Sequence, residues 1–178
     1  MNPHIPRSAV HTWSEQIGED LADHRVAVVR LLKDNRRLSR FVEENAASLE
    51  GAGGSVCQWL VGVVIRIFEL SGGRMRAATW EQVRAASARV QGHVEGLLPF
   101  DSSFPDRARA VERRQAHILD EALYNLFERT PKEGEVALPP VEAAKVYLMM
   151  WVATEVLDEN WAPPVGFAGE KAYEFSAV

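Results

Sequence analysis

Two pairs of carboxylates stand one helical turn apart: Asp20-Leu-Ala-Asp23, followed by His24, and Glu155-Val-Leu-Asp158, followed by Glu159. Residues three apart on a helix share a face. If the first and last helices lay side by side, four such carboxylates could hold Mg²⁺ with a phosphate-bearing substrate between them. The plainer reading is two solvated acidic faces. Drawn as a wheel, the helix over 141–160 sets Tyr147, Trp151 and Thr154 on the same side as Glu155 and Asp158. A face of Tyr147, Trp151, Glu155 and Asp158 suits a basic partner or an amine-bearing ligand. Its other reading is core above and surface below, with Trp151 buried among Leu148, Met149, Met150 and Val152.

The segment from Glu155 to Asp158 resembles the Glu-x-x-Asp half of the all-α nucleotide pyrophosphatases of the MazG type. The resemblance covers these four residues, and no Glu-x-x-Glu half precedes them. It implies a Mg²⁺-dependent enzyme acting on nucleotides through helix-borne carboxylates. No chain of nucleophile, base and orienting group accompanies it. The serines lack a strained elbow, Cys57 sits in an apolar run, and no glycine-rich loop follows a strand to cradle phosphate. The histidines form no metal-spacing motif. His117 falls opposite the apolar face of its helix, among Arg113, Asp120, Glu121 and Tyr124, and reads as a surface residue. His24 falls on an apolar seam and reads as a core or interface histidine satisfied by a hydrogen bond. No catalytic residue, metal site or cofactor is expected from these positions.

The elements that would carry such side chains are helices. From 17 to 49 runs a seam at steps of four and three: Ile17, Leu21, His24, Val28, Leu31, Asn35, Leu38, Val42, Asn45, Leu49. It predicts one long helix over about 13–49, bending near Asp34 and Asn35, with a stripe that something must cover. Valine at a, leucine at d and Asn35 at a match a parallel two-stranded coil, which makes Val28, Leu31, Asn35, Leu38 and Val42 a candidate interface and a homodimer one covering. Ala27, Phe41, Leu32 and Ala46 widen the stripe toward the pattern of a helix inside a bundle, which favours burial within the chain.

A length of 178 residues with 47% hydrophobic side chains fits one core. A single cysteine excludes an internal disulfide and fits a reducing compartment, so the cytoplasm is the expected location. The amino terminus, with Pro3, Pro6 and Arg7 and no apolar core behind them, does not read as a secretory signal. The net charge of −5 is unevenly spread. Residues 74–114 hold eight arginines against five acids, and residues 115–178 hold four bases against eleven acids. Opposite-sign thirds can attract one another within the fold, and the acidic total argues against nucleic acid as a partner.

Further helices are expected over about 55–70, 80–98, 106–129 and 140–159. A Thr79/Gln82 capping box opens the one over 80–98 and Pro139-Pro140 the last. No strand is expected. The helix over 55–70 leaves only a narrow polar stripe of Ser55, Gln58, Gly62, Arg66 and Glu69 and must be surrounded on most sides. Arg66 and Glu69 argue against its crossing a membrane. The expected architecture is all-α: a compact bundle of five or six helices around this central helix, spanning 1–160. An extended tail over 161–178 follows, its aromatics Phe167, Tyr173 and Phe175 pegged onto the bundle. The function that follows is non-enzymatic. It is contact with a protein partner, as an adaptor, regulator or inhibitor.

Overall fold

The computed structural model describes residues 2–169; Tyr173 and Phe175 lie outside them. The architecture is all-α, with helices packed about a central one. That centre is α4 (Gly53–Leu70), whose apolar wheel drives it inside: Cys57, Val61, Val64, Ile65, Ile67 and Phe68 are all buried. By length and composition α4 could cross a membrane, and 56% of that window is buried in the fold. It is flanked by α1 (Arg7–Glu19), α2 (Leu21–Asp34), α3 (Arg36–Ala46) and α9 (Pro140–Asn160). The α9 helix is nearly as apolar, and α5 (Trp80–Gln91) and α8 (Ala116–Leu123) cover its other sides. Burial pushes the Cys57 thiol up to about 12, with its Sγ 3.6 Å from Met149 Sδ.

The expected long first helix is three helices. Asp20 and Asn35 both leave the helical region, with φ/ψ of −123°/75° and −124°/55°. Short polar side chains offer the backbone alternatives to helix bonds, and both residues use them. Asp20 Oδ1 accepts from Asp23 N–H and caps α2, and Asn35 Oδ1 accepts from the buried Ala78 N–H at 3.0 Å, tying the α2–α3 corner to the start of α5. The helix expected over 80–98 likewise stops at Gly92 and resumes as the short α6 (Val94–Leu97).

A second correction falls on the helix expected over 106–129. It divides into α7 (Phe104–Arg109), an irregular stretch to Gln115, α8, and a π-helical turn over Tyr124–Glu128. Gln115 takes φ +50°, a conformation that costs a non-glycine residue about 1 kcal/mol. Three tertiary hydrogen bonds hold it there. Its side chain accepts from Ile5 N–H and donates to Pro3 O and to Asp158 Oδ1, at 2.8, 3.0 and 2.8 Å.

The narrow stripe of α4 is open to solvent at Ser55 and Gln58 and covered from Gly62 onward. The α2 helix crosses it at Gly62, where a Cβ would meet Val28 Cγ1 at 3.2 Å, and Arg66 lies between Asp23 and Glu69. The only strands among the described residues are the two-residue β1 (Arg74–Met75) and β2 (Trp161–Ala162), antiparallel with Met75 opposite Trp161. Gly73, at φ +81°, makes this pairing feasible, since a Cβ there would lie 2.2 Å from Ala162 O. Trp161 is buried, donates Nε1–H to Gly72 O at 2.9 Å and meets Phe167 edge to face.

Candidate functional site

The acidic and aromatic side chains of α9 point inward. Tyr147, Trp151, Thr154, Glu155 and Asp158 are all buried, so they do not form an open face for a partner. The basic counterpart that the pattern calls for comes from the same chain. Arg113 donates to Tyr147 Oη at 2.9 Å and to Asp120 at 2.8 Å. Arg89 donates Nε–H to Glu155 at 2.9 Å. The Arg114 guanidinium stands 3.7 Å from Asp158 Oδ2. Arginines of the positive middle thus pair with the inward acids Glu155 and Asp158 of α9 and with Asp120 of α8. Burial works against the Arg113 charge, and Tyr147 and Asp120 more than offset it, so its pKa lies above the ordinary arginine value.

His117 is buried as well, a correction to its surface reading, because the amino-terminal segment at His4 packs over that side of α8. Its ring meets His4 edge to face at 5.8 Å. The His4 imidazole accepts from Ala116 N–H, and burial, then His117, hold its pKa below the ordinary value. His24 is buried against Trp59 at 5.0 Å, with no hydrogen bond at Nδ1, so it packs as a ring rather than through the expected polar contact at that atom.

The four carboxylates of the metal reading have four separate tasks. Asp20 caps α2, Asp23 pairs with Arg66, Glu155 with Arg89, and Asp158 accepts from Gln115. Among the described residues no three His, Cys, Asp or Glu side chains converge as metal ligands would. Asp158, 1% exposed, has its carboxyl raised above the usual aspartate range, chiefly by burial. A raised folded pKa means that the native state binds the proton more tightly than the unfolded chain. The associated stability is full below the unfolded value, about 4, and is lost as pH rises through the folded one. Asp158→Asn should therefore gain on the parent in urea midpoint as pH rises above about 4. Parallel midpoint curves for the two proteins would contradict the assignment.

The seam residues also turn inward. Asn35, Leu38 and Val42 are buried, and Val28 and Leu31 are partly buried, so the candidate interface is filled by this chain's own α4 and α5. What α2 presents outward is unusual. Val26 and Val29 are 74% and 70% exposed, at the heptad's f and b positions, where a bundle helix ordinarily carries polar side chains. A groove of about 830 Å³ continues from Val29 along α3, lined by Leu32, Lys33, Arg36, Arg37, Arg40 and Trp80, with Glu43 and Glu44 at its far end. Arg40 is paired with Glu44, and Arg37 reaches Ala78 O. Lys33 and Arg36 have no ion-pair partner among the described residues. The signal that locates this surface in sequence is the misplaced valine at f and b, off the seam that dominates the pattern. No protein-family model, curated protein or solved structure matches this chain.

Proposed function

We propose that this chain is a non-enzymatic protein that acts by contact with a protein partner, as an adaptor, regulator or inhibitor, through the outer face of α2 and α3. The observation that supports this reading is the pair of exposed valines, Val26 and Val29, beside an open groove containing Trp80. A folded chain with a large interior has no need to leave two branched apolar side chains outermost on a helix. Exposed apolar surface rimmed by charge is what contact sites look like. The buried acids of α9 support the same reading from the other side, since each is already engaged by an arginine or a glutamine of this chain. With Cys57 single and buried, the proposal includes a cytoplasmic location.

Photo-crosslinking tests it. A benzophenone side chain at position 29, irradiated in cells that make the protein, should give an adduct of one discrete mass. The same group at position 136, equally exposed on a loop, should give none. Adducts from both positions alike, or from neither, would overturn the proposal.

A further inference from the structure

We infer that the partner seated on the α2–α3 face presents an acidic amphipathic helix. The inference rests on the reading of that face as the contact site and adds the partner's chemistry. The groove is positive on a negative protein: four cations, Lys33, Arg36, Arg37 and Arg40, against two acids, Glu43 and Glu44, in a chain of net charge −5. Its charges are also unevenly engaged. Glu44 answers Arg40, whereas Lys33 and Arg36 project into solvent with no acid of this chain near enough to pair among the described residues.

Apolar and charged features lie in a sequence that a helix can match. Val29 lines the groove with Leu32 and Trp80, Val26 stands exposed three residues before it on α2, and the cations follow along the α2–α3 corner. A helix laid in the groove would place apolar residues at i, i+3/i+4 and i+7 against Val26, Val29 and Trp80, with its acids over Lys33 and Arg36. A second copy of this chain fits less well. An isologous pairing about the groove's middle would set Arg36 and Arg37 against their own copies and Lys33 against Arg40. A nucleic acid fits less well too, because it would bring phosphates to Glu43 and Glu44 and leave the valines without apolar contact.

The test uses three labelled synthetic helices of about five turns with one shared leucine face and a polar face of glutamate, glutamine or lysine, titrated into the intact protein by fluorescence anisotropy. The glutamate helix should bind at least about tenfold more tightly than the glutamine helix, and should weaken as salt rises to about 0.3 M. Lys33→Glu with Arg36→Glu should reverse the preference toward the lysine helix. Val26→Asp with Val29→Asp should abolish binding of all three, with the thermal midpoint unchanged.

Equal binding of the glutamate and glutamine helices, with both lost in the valine variant, would overturn the acidic assignment while leaving the face as a contact site. Binding that ignores the valine variant, or no binding at all, would count against the face itself. A single-stranded oligonucleotide that binds where the glutamate helix does not would replace the protein partner with a nucleic acid. A dimer that dissociates in the valine variant would replace it with a second copy.

Discussion

Trp151→Ala should lower the unfolding free energy by about 3–5 kcal/mol. The indole is fully buried at the middle of α9, stacked on the His93 ring at 5.1 Å with the planes 12° apart, and tilted against Tyr147 at 6.0 Å. Truncation removes the contact between α9 and the end of α5 and leaves a cavity that two helices cannot close without moving. Domains of this size are stable by about 5–15 kcal/mol, so the variant should lose at least about a fifth of the total. At about 2–4 °C per kcal/mol, its thermal midpoint should fall by roughly 10 °C. Trp151→Phe should cost far less, because Nε1 has no hydrogen-bond partner to lose. Urea unfolding of both variants checks this. A loss below about 1 kcal/mol for Trp151→Ala would mean that the ring is not part of the core.

Asn35→Leu separates the two coverings of the heptad seam. Across a two-stranded coil this change would alter the oligomeric state. In the fold described here Asn35 Oδ1 is the acceptor for the buried Ala78 N–H, and leucine would leave that donor without a partner while crowding the α2–α3 corner. An orphaned buried donor costs about 1–3 kcal/mol, and overpacking adds about 1–3. The variant should therefore sediment like the parent but unfold about 2–6 kcal/mol more easily. Asn35→Asp keeps the acceptor oxygen and should be milder. A changed sedimentation coefficient with unchanged stability would place Asn35 between chains.

Much of the architecture was legible because it rests on periodicity. The central helix, the capping box at Thr79 and the entry at Pro139-Pro140 are local patterns, and each element begins close to where its residues call for it. The bend at Asn35 was legible but not the full break, and the break at Gln115 was not legible, since both rest on hydrogen bonds that only the folded chain supplies; the break at Asp20 rests on a local cap to Asp23 that the apolar seam masked. Asn35 leaves the helix where Ala78 needs an acceptor, and Gln115 enters the left-handed region where Ile5, Pro3 and Asp158 converge on its amide. For the site, the residues on α9 were found but their surroundings were not. The wheel groups Tyr147, Trp151, Glu155 and Asp158 without revealing that Arg89, Arg113 and Arg114 stand opposite. The outward valines were hidden by the strength of the seam, which directs the eye to Val28 and away from Val26 and Val29.

The paired carboxylates of α2 and α9 are engaged within the fold, and the proposed contact role of the outer face of α2 and α3 requires that they hold no metal. The measurement that tests this claim most directly is the thermal midpoint in a series of Mg²⁺ and Mn²⁺ concentrations, with and without nucleotides. Acids already engaged by Arg66, Arg89 and Gln115 predict a midpoint constant throughout the series. A ligand at a hundredfold excess over its dissociation constant adds about 2.7 kcal/mol, a rise of several degrees. Such a rise, lost in Glu155→Gln and Asp158→Asn, would contradict the claim and identify α9 as a metal-dependent site.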